Sequence, residues 1–541
     1  MSADPGEPFD VLLHRRADEA PDRVAFTFRS GPPESPRLAN LTHAELLAAA
    51  RALAHALVDA GQSGRPVLLA FAPGLDFVVA LFGALIAGAT AVPVYPPTTP
   101  EAATRVLAAA RATGATHAVS SPELGPALAA LPGLTPSALT WLHVDRHARA
   151  TTSPALASRP DRPRILQLTS GTTRAPRPVA LHDRQLAANS EVIRQRFGHD
   201  AGSVGVIWLP PYHDMGLVGG ILQPLWVGFP VVLLSPLEML ARPERWLAAL
   251  SDHRATTSGG PDFAYALAAR KVPPEVVARL DLRAWRVAFS GAERVRARTL
   301  DAFAAAFAPA GFDPRAFHPC YGLAEATLYA TGVQGIVKHP DDPALVSSGV
   351  VAPGHALRVV DPETGLDAPP DTVGRVALRG PAGAADAPDD DGWLVTDDLG
   401  RVRDDHLYLV GRLASRMKIR GRLVHAEDVE DLAGAADPTL RAGRAAAFTL
   451  DDGERELLVL VHEARAAPDP EAVRRAVDRA LGPLGLALDA LVLAPPGAVP
   501  VTSSGKVRRE ACRAALLDGS LASWTPEPFV TPRRAAARSA G

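Results

Sequence analysis

Between residues 41 and 120 the sequence switches repeatedly between two hydrophobic periods, and this alternation restricts the fold more than any other feature. Residues 41–60 (LTHAELLAAARALAHALVDA) place Leu and Ala at helical spacing, whereas RPVLLAFAP at 65–73 is a short apolar run closed by Pro and Gly. A helix at 76–87, a strand at 90–95, a helix at 101–113 and a strand at 117–120 continue the rhythm. Apolar strands separated by helices are covered on both faces of a parallel sheet, so the predicted fold class is α/β. The pattern resumes after a loose Pro/Ser/Ala segment at 149–163, in IWLPPYHDMG, FPVVLLS, WRVAFSG and HPCYG. Each is an apolar run ending in turn residues, where α/β proteins bind ligands.

From 347 to 410 the runs shorten and crowd together (ALRVVD, GRVALRG, GWLVTDD, HLYLVG), which predicts a β-rich subdomain of hairpins. A smaller unit follows, with strand candidates AAAFTL and ELLVLVHEA and a helix at 470–481. The expected organisation is a large N-terminal domain over 1–410, a small α/β C-terminal domain over 411–525 and a disordered tail at 526–541. At 541 residues the chain needs more than one core.

A net charge of -3 provides no field for gathering nucleic acid or an anionic membrane. Two cysteines, Cys320 and Cys512, are too few for a disulfide framework and lack metal-ligand spacing. With no signal-peptide pattern in MSADPGEPFDVLLHRR, a cytoplasmic setting is expected. The long apolar stretches at 77–95 and 215–237 read as buried helix followed by buried strand, since glycine and prolines interrupt them, so no membrane span is expected.

The strongest local signal is LTSGTTRAPRPV at 168–179, an apolar strand running into hydroxyl and glycine residues and then two arginines. Gly171 lets the backbone approach a phosphate, Thr169, Ser170, Thr172 and Thr173 offer hydroxyls, and Arg174 and Arg177 bring charge. It has no GxxxxGK[ST] and is not a Walker loop.

This segment resembles the TSGTTGxPKG signature of the adenylate-forming superfamily of acyl-CoA synthetases, adenylation domains and luciferases. In order there follow LPPYHDMGLVGGILQPL at 209–225, TTSGGPDFAYALAARK at 256–271, WRVAFSGAERVRARTL at 285–300, HPCYGLAEATLY at 318–329, TDDLG at 396–400, GRLASRMKIRGR at 411–422 and PVTSSGK at 500–506. The set, with Arg174, resembles the fatty acyl-AMP ligase branch in particular.

That resemblance implies a large domain of two helix-covered sheets with a small mobile domain, and use of ATP and Mg²⁺. By position, Glu325 matches the acid that holds Mg²⁺, a hard cation that seeks carboxylate and phosphate oxygens. Gly291, Ala292 and Glu293 match the adenine-binding turn, and Tyr321 and Gly322 lie beside the base. Asp398 matches the acid that accepts from both ribose hydroxyls, with Arg412 next to the same sugar. Lys506 matches the lysine between the substrate carboxylate and the α-phosphate. His213, Asp214 and Met215 fall where the family lines its acyl and adenylate sites. Gly259, Gly260, Phe263 and Ala264 fall in its acyl-tunnel wall, where small residues would leave room for a chain gaining about 0.8 kcal/mol per buried CH₂.

The sequence departs from the pattern at Arg177-Pro178 for the phosphate-loop Lys-Gly, at Asp397 for a glycine and at Ser415 for the hinge acid, with shortened stretches before Ser348 and Trp393. The implied reaction is activation of a fatty-acid-like carboxylate to its acyl adenylate, then transfer to the phosphopantetheine thiol of a separate acyl carrier protein. The alternatives are an acyl-CoA ligase and a nucleotide-binding homologue without turnover.

Overall fold

The computed structural model describes residues 6–97, 99–124, 139–154, 162–169, 176–383, 391–419, 422–451, 456–502 and 506–525. They fall into two compact units, drawn from Met1–Thr169, Pro176–Thr396 and Gly400–Leu409 for the first and from Asp397–Leu399 and Val410–Gly541 for the second.

The first unit contains two helix-covered sheets. A six-stranded sheet runs in the order Thr140–His143, His117–Ser120, Pro66–Ala70, Thr90–Val94, Ile165–Thr169, Arg177–Leu181. Its pairs are parallel except the last, a hairpin in which Thr169 faces Arg177. A nine-stranded sheet has six parallel strands at its centre, in the order Phe317–Tyr321, Val287–Ser290, Thr257–Gly260, Gly205–Ile207, Val231–Leu234, Val24–Ser30. Two of these central strands, VVLL and VAFS, are unbroken apolar or small-residue runs buried at every position, as strands covered on both faces require.

The helices follow from local signals. His43–Asp59 starts at a reciprocal cap between Thr42 and Glu45 and buries its Leu and Ala face. It meets Leu75–Ile86 closely enough that a Cβ on Gly83 would lie 2.8 Å from the Leu53 side chain. The predicted hairpins at 347–410 form a four-stranded sheet of Ala356–Val360, Gly374–Arg379, Leu394–Arg403 and His406–Arg412.

In the second unit, Leu440–Asp451, Glu456–Ala464 and Ala490–Ala494 form one sheet. Helix Pro470–Leu481 packs on it through Val473, Val477 and Leu481, four residues apart on one face.

Two elements differ from the sequence reading. An antiparallel pair, Val24–Ser30 with Arg37–Thr42, precedes the helix at which the alternation was first read. The apolar stretch at 215–237 begins not as an α-helix but as a π-helix, Met215–Leu222, which closes with Gln223 N–H donating to the Val218 carbonyl five residues back. Among the described residues no helix is long and apolar enough to cross a membrane.

Candidate functional site

In the first unit, the candidate residues sit at the carboxyl ends of parallel strands. Strand Phe317–Tyr321 delivers Tyr321 and Gly322 and runs into the single turn Ala324–Ala326 that carries Glu325. Gly322 is required by space, because a Cβ there would overlap the Leu328 carbonyl at 1.5 Å. Glu325 is half-buried, and no hydrogen bond or ion pair to its carboxylate is formed among the described residues. The next bend is strained. Thr327, fully buried, has φ +67° and ψ −56°, and Leu328 N–H closes onto the Ala326 carbonyl at 2.8 Å.

Strand Val287–Ser290 delivers Gly291, Ala292 and Glu293. A Cβ on Gly291 would lie 2.9 Å from the Cys320 carbonyl, and Ala292 holds a left-handed φ of +67°. The Glu293 carboxylate accepts from Phe263 N–H at 2.7 Å, so it caps helix Asp262–Lys271 and ties this turn to the GGPDF segment. Buried Asp262 accepts from Arg296 N–H, the Arg296 guanidinium and the Thr299 hydroxyl, fixing the same junction from below.

Gly259 and Gly260 end strand Thr257–Gly260. Their small size predicts room for a chain. The structure fills that room with protein: a Cβ on Gly260 would lie 2.5 Å from the Trp208 ring, and one on Gly259 would lie 2.0 Å from the Phe289 carbonyl. Phe263 packs edge-on to Trp208, and Ala264 is buried.

His213 pairs through Nδ1 with Asp214 at 2.5 Å, and Asp214 also accepts from Met215 N–H at the start of the π-helix. Gln167, two residues before Thr169, donates to the Tyr212 carbonyl at 2.9 Å and so anchors this segment to the phosphate-loop strand. Arg177 is exposed on the returning strand, and Thr169 donates to its carbonyl. Ser170, Gly171, Thr172, Thr173 and Arg174 lie outside the described residues.

Two motifs meet in the second unit. Arg412 donates through Nε to Asp398 at 2.8 Å. Asp397, the extra acid beside it, is exposed while Asp398 is half-buried, as successive residues of a strand face opposite sides. Ser415 is buried and donates to the Arg412 carbonyl. Lys506 closes a short hairpin: Thr502 N–H donates to the Lys506 carbonyl at 2.7 Å, and Lys506 N–H to the Thr502 hydroxyl at 3.0 Å. Three residues on, Arg509 forks onto both oxygens of Glu430 at 2.6 and 2.7 Å and also reaches Glu427. Burial pushes the Glu430 carboxyl up to about 7 against the pull of that guanidinium.

The profile of the AMP-binding enzyme family matches residues 13–385. The medium-chain-fatty-acid–[acyl-carrier-protein] ligase JamA of Moorena producens (strain JHB) is 31% identical over 98% of both chains. The chain belongs to the AMP-binding enzymes. Within this adenylate-forming superfamily it lies in the fatty acyl-AMP ligase branch. The long-chain-fatty-acid–AMP ligase FadD26 of Mycobacterium marinum is 33% identical over 93% of this chain and 96% of its own. A solved structure from work on the fatty acyl-adenylate ligases of E. coli and L. pneumophila superposes with a TM-score of 0.84 at 28% identity, over 96% of this chain and 99% of that one.

A divalent cation that accompanies a nucleotide needs oxygen donors that suit it. Among the described residues no cluster of three metal-ligating side chains exists. Mg²⁺ binds through one or two carboxylates while substrate phosphates and waters complete its shell, so one uncommitted carboxylate at Glu325 fits. Gln167, Asn189, Asp262, Arg296 and Arg509 brace these sites without a motif role of their own. Their partners lie 34 to 140 residues away, and no local pattern signals them.

Proposed function

We propose that this AMP-binding enzyme activates a fatty acid as acyl-AMP and passes the acyl group to the phosphopantetheine thiol of a separate acyl carrier protein. The observation that carries this reading is end-to-end similarity, over 98% of both chains, to a protein named as a fatty-acid–[acyl-carrier-protein] ligase.

In the first step a carboxylate oxygen attacks the α-phosphorus of ATP, the bond to the bridging oxygen breaks and pyrophosphate leaves. Glu325 would hold Mg²⁺, which supplies charge neutralisation on the phosphates. Lys506 would balance the charge gathering on the carboxylate and α-phosphate oxygens. Asp398 accepts hydrogen bonds from the ribose, and its bond to Arg412 keeps the carboxylate aimed. The Gly291–Glu293 turn and Tyr321 receive the adenine, and Ser170 to Arg174 with Arg177 receive the phosphates. The acyl chain lies toward the segment from His213 to Met215 and the GGPDF wall, where displacement of Trp208 from Gly260 sets the available depth. In the second step the thiol sulfur attacks the acyl carbon, the bond to AMP breaks, and the thiol proton goes to solvent. A cytoplasmic setting belongs to the same reading, supported by Cys320 and Cys512 both being free thiols.

The test is pyrophosphate release with mass detection of the adenylate across straight-chain acids, followed by addition of holo carrier proteins or coenzyme A. Acyl adenylate and an acylated carrier are expected. Acyl-CoA as the sole thioester product would move the chain to the CoA ligases, and no adenylate with any acid would leave a binding protein.

A further inference from the structure

The bend after Glu325 is unusual in its backbone conformation. Thr327 is β-branched yet sits at φ +67°, in a three-residue turn of the rarer hand. Strain of this kind persists only where the surroundings overdetermine it. Here they do. Asn189, fully buried on helix Asp183–Phe197, donates from Nδ2 to the Ala326 carbonyl at 3.3 Å and the Tyr329 carbonyl at 2.8 Å, and accepts from Tyr329 N–H at 3.1 Å. One amide therefore grips both ends of the bend. The Thr327 hydroxyl donates to the Ala382 carbonyl at 2.6 Å. One turn earlier on the same helix face, Gln185 donates to Gly383 at 2.9 Å.

Glu325 immediately precedes this bend. Its carboxylate takes no orientation from hydrogen bonds of its own among the described residues. The backbone that carries it is held, at the bend that follows, by Asn189. We propose that Asn189 is the positioning residue of Glu325, fixing the strained turn at Thr327 so that the carboxylate is presented to the divalent cation. This rests on the reading of Glu325 as the cation's ligand.

The experiment measures ATP affinity of the full chain by calorimetry with Mg²⁺ and with EDTA, together with the Mg²⁺ concentration for half-maximal pyrophosphate release. For Asn189→Ala, the gain in ATP affinity on adding Mg²⁺ is expected to shrink about tenfold and the Mg²⁺ requirement to rise about tenfold, the scale of lost support behind a metal ligand. ATP affinity in EDTA and the KM for the fatty acid stay within about twofold. Thr327→Gly keeps the turn but removes the hydroxyl tie, and is expected to raise the Mg²⁺ requirement by a smaller factor. Glu325→Gln separates the two readings. If it leaves Mg²⁺ dependence unchanged, the assignment of Glu325 fails. If it shifts that dependence while Asn189→Ala does not, the role of Asn189 alone is overturned. Should Asn189→Ala fail to fold, Asn189→Asp and Thr327→Gly carry the same measurement, and an unshifted Mg²⁺ requirement in both overturns the proposal.

Discussion

The turn that carries Glu325 and the turn that carries Lys506 are held by opposite means. The first is a strained bend in the interior, clamped by the neutral amide of Asn189. The second is an ordinary hairpin at Thr502 and Lys506, followed at once by an ionic fork between Arg509 and Glu430. A neutral clamp keeps its geometry whatever the pH. The ionic clamp contains a carboxyl that burial pushes up to about 7, so its charge changes near neutral pH. Two turns of one chain thus rest on supports that respond differently to solvent.

The largest expected effect comes from cutting the ionic clamp. Arg509→Met leaves Glu430 and its backbone partner Ala447 around an unpaired buried carboxylate, costing about 3–5 kcal/mol. Denaturant unfolding followed by hydrogen exchange in strand Leu440–Asp451 reads that loss. Adding Glu430→Leu should restore most of the stability, since an apolar pair of similar volume tolerates the site. If adenylate formation stays slow in the stable double variant, the fork positions Lys506. If it recovers fully, the fork serves only folding and the contrast with Asn189 narrows.

Acidification sharpens the comparison next. In the first unit burial depresses His199 and His318 to about 3 from 6.5. The unfolded chain binds protons there that the folded chain refuses, so their stability is present above 6.5 and withdrawn as pH falls, on the order of 3 kcal/mol for the pair by pH 5.5. In the second unit two groups oppose. Burial lowers His462 to about 4, which weakens the fold on acidification, while the raised carboxyl of Glu430 strengthens it as pH falls from 7 toward 4.5. Hydrogen exchange at pH 7 and 5.5 should therefore show the first unit loosening more than the second. Equal loosening would remove the distinction.

The smallest effect is expected at the strained turn. Thr327→Gly relieves a left-handed conformation worth about 1–2 kcal/mol but gives up a buried hydrogen bond worth about 1 kcal/mol, so thermal melting should move little. A large loss would mean that the hydroxyl tie to Ala382, not the Asn189 amide, is the main support.

Local chemistry was legible in the sequence wherever a run or motif carried it. The spacing at 470–481 gave a helix whose bounds are those of Pro470–Leu481, and the motifs of Asp398 and Arg412, 14 residues apart, meet in one hydrogen bond. What was hidden depends on distance or on competition between near-equal states. Asn189 looks like any polar residue of an amphipathic helix until the Ala326–Tyr329 bend arrives from 137 residues downstream. The π-helix at Met215–Leu222 is built from GLVGGIL, whose apolar and glycine residues show no period that separates it from an α-helix. Its glycines answer to tertiary crowding instead, since a Cβ on Gly216 would overlap the Pro210 carbonyl at 2.1 Å. For Gly259 and Gly260 the sequence shows the residue size but not what packs against it, because Trp208 and Phe289 lie on other strands and segments.

The indole that fills the space beside Gly260 is also the first rung of a series. Trp208 meets Trp246 at 6.2 Å and 60°, and Trp246 meets Trp285 at 5.5 Å and 77°. Three inclined chromophores this close share their excitation, so the protein carries an optical reporter at one edge of its candidate acyl wall. Anything that pushes Trp208 away from Gly260 alters the coupling along the whole series, and a change in emission or near-ultraviolet dichroism during titration with acids of increasing length would show how deep each one reaches.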